Sequence, residues 1–120
     1  MGAGSLIING IVNNRLDATL TALADPARRR VVEMLRDEPL RATDIADGLG
    51  MTPAATSRHL RVLRSAGLVR VDAVDEDARV RMYRLDPEHL VSLSAWLDQV
   101  QAHWQEQLNA FAEHAGRRKR

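Results

Sequence analysis

At 120 residues, with 45% apolar residues and a formal net charge of +1, the chain has the size of one domain and enough apolar matter for a core of its own. It has no cysteine, which excludes disulfides, thiolate metal sites and thiol redox sensing. No apolar run approaches the roughly 18–20 residues needed to cross a membrane, and the start, MGAGSLIINGIVNN, lacks the basic and continuous apolar segments of a secretion signal. A cytoplasmic protein is expected.

Residues 1–14 are rich in Gly and Asn and are expected to be flexible. The folded domain is expected over 15–115, leaving a basic tail at 116–120. A first helix is expected over 14–24, with Leu16, Leu20, Leu23 and Ala24 on one face. Asp25 then caps a second helix, and Pro26 takes its first position, where a missing N–H costs nothing. This helix presents Ala27, Val31, Met34 and Leu35 to the interior and Arg29, Arg30 and Arg36 to solvent. A turn, DEPL, leads to a very short extended piece at Leu40-Arg41. Thr43 is expected to cap a short third helix that buries Ile45, Ala46 and Leu49, and Gly50 ends it.

Thr52 and Pro53 repeat the cap-and-proline start for a fourth helix. Its buried stripe is Thr56, Leu60, Leu63 and then Ala66 or Gly67, with Gly67 as the left-handed stop. The opposite face carries Ala54, Ser57, Arg58, Arg61 and Arg64, and no carboxylate lies between Thr52 and Val71. Such a face can enter a major groove, and it can equally be a plain solvated surface. A short helix, a Gly-bearing turn and then this helix form the pattern of a helix-turn-helix. Period 2 follows in LVRVDAV (68–74) and RVRMYRL (79–85), two strands joined by acidic turn residues: a wing with Arg70 on the first strand and Arg79, Arg81 and Arg84 on the second. The acidic tip, Asp75-Glu76-Asp77, is expected to stay off a phosphate backbone.

Asp86-Pro87 opens a final long helix. Leu90, Leu93, Leu97, Val100, Trp104, Leu108, Phe111 and Ala115 follow one another at steps of three and four, a heptad-like seam roughly 40 Å long. A domain of this size has too little body to cover it. A homodimer is expected, joined through this seam with Leu16 and Leu20 of the first helix helping.

Three segments together carry a family resemblance: ALADPARRRVVEML (22–35), LRATDIADGLGMTPAATSRHLRVLRSAGLV (40–69) and RMYRLDPEHL (81–90). The chain resembles the ArsR/SmtB-type winged helix-turn-helix repressors, and Trp96, Leu97, Trp104 and Leu108 resemble a branch without the usual metal motifs. The resemblance implies a mainly α fold with a small β-hairpin wing, dimerising through the N- and C-terminal helices. It implies a homodimeric repressor that binds a palindromic promoter operator in double-stranded DNA, often its own. It also puts DNA reading on Thr52, Pro53, Ala54, Ser57, Arg58, His59 and Arg61. On chemistry, Ser57 and Arg58 suit base edges, whereas Arg61, Arg79 and Arg81 suit phosphates. Backbone N–H groups at Thr43 and Thr52 can take phosphates as well. His59 is open between DNA contact and bracing the helix.

Metal sensing is expected to be absent, with no cofactor implied. Set against the family's ligand pattern on the last helix, His89 and His103 occupy two of four positions, the others holding Pro87 and Val100. A second register, His103 and His114, has Gln101 and Arg117 in the remaining places. Neither completes a tetrahedral zinc sphere. No phosphate-binding glycine motif or triad context is present, so no enzyme is expected. Three alternatives remain: a protein-interaction module whose DNA reading has degenerated, a metal-responsive repressor using His89 and His103 or His103 and His114, and an effector pocket lined by Trp96 and Trp104 at the dimer seam. The effector, if any, is not written in the sequence.

Overall fold

The computed structural model describes residues 15–73 and 80–118, with side chains through 117. The expected flexible segment 1–14, the acidic wing tip and Arg79 therefore lie outside the described residues. Helix α1 spans 15–23, followed by α2 (Pro26–Asp37), α3 (Ala42–Leu49), α4 (Pro53–Ser65), β1 (Val69–Ala73), β2 (Arg81–Leu85) and α5 (Glu88–Arg118). The chain divides into two compact units, Met1–Leu90 and Val91–Arg120.

In the first unit the core is built from one or two residues of each element: Ala22 of α1, Val31 and Leu35 of α2, Ile45 of α3, Leu60 and Leu63 of α4, then Leu68 and Val69. Leu40, Leu49, Tyr83, Leu85 and Leu90 pack against it. On α1 the inward residues are Thr19 and Ala22, both buried, while Leu20 is 41% exposed. The leucines of α1 thus do not share one buried face; Leu23 turns to the core and Leu20 away from it.

Asp25 caps α2 as expected, its Oδ1 accepting from Ala27 N at 2.8 Å and Arg28 N at 3.3 Å. The start of α3 differs from expectation. The helix begins at Ala42, Arg41 is the residue at the cap, and no side chain caps the amides, so Thr43 is the second helical residue and not the cap. The cause lies one residue upstream. Leu40 and Tyr83 exchange backbone hydrogen bonds of 3.1 and 2.8 Å, which holds Leu40 as a bridge beside β2. The chain must turn straight from that bridge into helix, and the first helical bond closes from Ile45 N to Arg41 O at 3.0 Å.

Gly50 (φ +64°) ends α3 in the left-handed conformation. Thr52 caps α4 by accepting from Ala55 N at 3.2 Å. At the far end, Leu68 N bonds Leu63 O and Gly67 N bonds Arg64 O, each at 3.0 Å, with Gly67 at φ +77°. The positive φ favours glycine there, and a Cβ would also meet the His89 imidazole, which would have to shift.

The hairpin pairs Val69 with Leu85, Val71 with Tyr83 and Ala73 with Arg81 on one face, and Arg70 with Arg84 and Asp72 with Met82 on the other. Arg70 and Arg84 would repel across the ladder. Arg84 instead turns to Asp72, its Nε 3.0 Å from Oδ2.

The second unit, taken by itself, is the greater part of α5. Its large apolar residues are exposed: Trp96, Leu97, Val100, Trp104, Leu108 and Phe111, the last at 73%. No helix among the described residues is long and apolar enough to cross a membrane.

Candidate nucleic-acid interface

Helix α4 carries its charge on one side for a simple reason. Burial of Thr56, Leu60 and Leu63 fixes its rotation about its own axis, and Ala54, Ser57, Arg58, Arg61 and Arg64 are thereby left exposed. The turn Gly50-Met51-Thr52 sets this helix after α3 and leaves its first turn open to solvent, with Thr52, Pro53 and Ala54 exposed. An open helix N-terminus offers unsatisfied N–H donors to an anion.

Two clefts share Ala42, Thr43 and Tyr83, and the smaller of them reaches the start of α4. A small one of about 90 Å³ is lined by Ala42, Thr43, Pro53, Ser57, Leu60 and Tyr83. A larger one of about 370 Å³ is lined by Arg41, Ala42, Thr43, Val80, Arg81 and Tyr83. Of the residues expected from sequence, Thr43 lines both clefts, Pro53 and Ser57 the smaller and Arg81 the larger, with Ala54, Arg58 and Arg61 on the exposed side of α4. Arg41 and Tyr83 were not anticipated. The alternation along β2, which puts Arg81 and Tyr83 on one face, was a signal for Tyr83. Arg41 had none, because its position depends on the Leu40–Tyr83 bridge.

His59 is placed differently. It is half-buried, and its charge bears on Asp25 at the head of α2. Burial alone would raise the Asp25 carboxyl. The backbone bonds from Arg28 and Ala27, with the His59 and Arg28 charges, outweigh it and hold the group below its ordinary value.

Ion pairing sorts the arginines. Arg28, Arg30, Arg36, Arg84 and Arg117 each have a carboxylate at 3.0–3.9 Å. Among the described residues, Arg41, Arg58, Arg61, Arg64, Arg70 and Arg81 have none within ion-pair distance. These guanidiniums lie on α4, at the start of α3 and on the wing; Arg15 of α1 and Arg29 of α2, which bonds the Leu23 carbonyl, also have no carboxylate within ion-pair distance among the described residues. A surface of fixed positive charge with no internal partner is suited to phosphate, and arginine also matches the edge of guanine. Among the described residues no three His, Asp or Glu side chains converge as a metal site would require. His89 is held over Gly67.

Residues 25–71 match the family model described as "Bacterial regulatory protein, arsR family". Over 76 residues the chain is 42% identical to the HTH-type transcriptional regulator NmtR of Mycobacterium tuberculosis, covering 63% of this chain and 61% of that protein. It thus spans about three fifths of that relative's length. A second regulator of the same organism, the HTH-type transcriptional regulator Rv2034, is 38% identical over 98 residues, covering 81% of this chain and 85% of that protein. Among solved structures, an ArsR-like transcriptional regulator from Rhodococcus sp. RHA1 superposes with a TM-score of 0.70 at 26% identity, covering 82% of this chain and 91% of that one.

Proposed function

Because the chain belongs to the arsR family of bacterial regulatory proteins, whose members are DNA-binding transcriptional regulators, we propose that it is a homodimeric repressor acting in the cytoplasm on a two-fold symmetric promoter operator. The observation that carries the reading is the exposed face of α4. It presents Ser57 and Arg58 beside an open helix start, and its arginines have no carboxylate partners among the described residues. Ser57 and Arg58 read base edges, Arg58 favouring guanine by roughly 1–3 kcal/mol over a wrong base. Arg61 and Arg81 hold phosphates, as does Arg79, and the amides at Thr43 and Thr52 add to them. Pro53 and Ala54 keep the helix start small enough to approach the groove floor. His59 braces α4 against the head of α2 in this reading, and its contact with DNA is secondary.

The exposed seam of α5 supports the dimer. Leu97, Val100, Trp104, Leu108 and Phe111 are 45–73% exposed at heptad spacing, more apolar surface than an isolated helix keeps in water. Leu90 and Leu93 continue the seam, and Leu16 and Leu20 of α1 add to the interface. Two copies related by a two-fold axis would place two α4 helices about one turn of DNA apart, roughly 34–36 Å. No catalytic step is assigned to any residue.

The test is fluorescence anisotropy of the purified protein on DNA upstream of its own gene and on a scrambled duplex of equal length, at two salt concentrations. Salt-steep binding that prefers the upstream DNA is expected. Arg58→Ala is expected to lose most of that preference, by roughly 10-fold or more, while still binding both duplexes. Equal losses on both duplexes would remove Arg58 from base reading.

A further inference from the structure

We infer that Arg41 and Arg81 form a clamp for a single phosphodiester of the DNA backbone, across the cleft between the start of α3 and strand β2. The inference rests on the DNA-binding reading and adds a contact that neither the helix-turn-helix pattern nor the wing pattern assigns.

The cleft, about 370 Å³, is lined by Arg41 and Arg81 together with Thr43 and Tyr83, and among the described residues no acidic side chain lines it. Both arginines are exposed and lack a carboxylate partner among the described residues. Two like charges lining one cleft repel, and an anion between them turns that repulsion into two attractions. The two walls are held in register. Leu40, next to Arg41, exchanges hydrogen bonds of 3.1 and 2.8 Å with Tyr83, and Arg81 lies two residues from Tyr83 on the same strand face. Little ordering is then needed on binding beyond the two side chains. Thr43 and Tyr83 also line the small cleft that holds Pro53 and Ser57 of α4, so a phosphate held here lies beside the bases that α4 reads. The clamp fixes where α4 enters the groove without reading sequence itself.

Wild-type protein, Arg41→Ala, Arg81→Ala and a control, Arg36→Ala on α2, are titrated on the upstream duplex and the scrambled one over a salt series. Loss of one phosphate contact makes the slope of log K against log salt shallower by about 0.9. Arg41→Ala and Arg81→Ala are each expected to show that change and to weaken both duplexes alike, whereas Arg36→Ala keeps the wild-type slope. Single phosphates of the upstream duplex are then replaced, one at a time, by neutral methylphosphonate. At one position per half-site the wild type is expected to weaken, while Arg41→Ala and Arg81→Ala are both indifferent to that same position. Unchanged slopes in variants with wild-type circular dichroism, or different sensitive positions for the two arginines, would overturn the clamp. A wild-type protein with no salt-dependent affinity for either duplex would overturn the DNA-binding reading itself, a distinct result.

Discussion

Thr56 sits in the buried stripe of α4 at 1% exposure, and its Oγ1 has no hydrogen-bond partner among the described residues. An unsatisfied buried hydroxyl costs about 1–3 kcal/mol, and valine has nearly its shape. Thr56→Val is therefore expected to raise unfolding stability by about 1 kcal/mol in a urea titration, with α4's outer face untouched. A loss of stability would mean that the hydroxyl has a partner in solution. Gly67 is the opposite kind of residue, fixed by its surroundings: its positive φ strains any side chain, and a Cβ would meet the imidazole of His89 above it.

The junction of α1 and α2 shows how one short motif, ALADPARRR, closes two helix ends. Asp25 accepts from the free amides of α2. Arg28 reaches back to the carbonyls of Ala22 and Thr21 at 2.6 and 3.2 Å, and Arg29 to that of Leu23 at 2.8 Å, at the C-terminal end of α1. The run of three arginines, basic enough to suggest a nucleic-acid patch, spends two of its members on helix ends. Asp25 also makes the junction acid-sensitive. Its folded carboxyl titrates below the ordinary value of 3.8, so it binds its proton more readily unfolded than folded. Its contribution to stability is therefore complete above pH 3.8 and is lost as pH falls through the lowered folded value. Thermal melts of Asp25→Ala should show lower stability than wild type near neutrality, with the difference shrinking in acid below that window. A difference that stays constant with pH would mean the cap acts without its charge.

At the scale of the whole molecule, the exposed α5 seam and the proposed dimer are the same question. Trp104, 63% exposed at the middle of the seam, is the largest apolar side chain there. Removing an aromatic anchor from an interface costs about 2 kcal/mol, roughly 30-fold in dissociation constant. Trp104→Ala is expected to shift the sedimentation equilibrium toward monomer by about that factor and to weaken operator binding with it. A monomeric wild type at micromolar concentration would sink the dimer and, with it, the two half-site geometry.

Much of this was legible in the sequence because it is set locally. The caps at Asp25 and Thr52, the prolines at Pro26 and Pro53, the left-handed stops at Gly50 and Gly67 and the switch from period 3.6 to period 2 after Gly67 all act within a few residues. They fixed the order of elements and the outward face of α4. The start of α3 was misplaced, and Arg41 and Tyr83 were missed. Both depend on a hydrogen-bonded bridge between residues 40 and 83, more than forty positions apart, that no local periodicity announces. In the same way, folding over a distance left His59 of α4 half-buried and put Thr19 into the core. Residue chemistry supplied the guanidiniums; long-range backbone pairing decided which of them share a cleft.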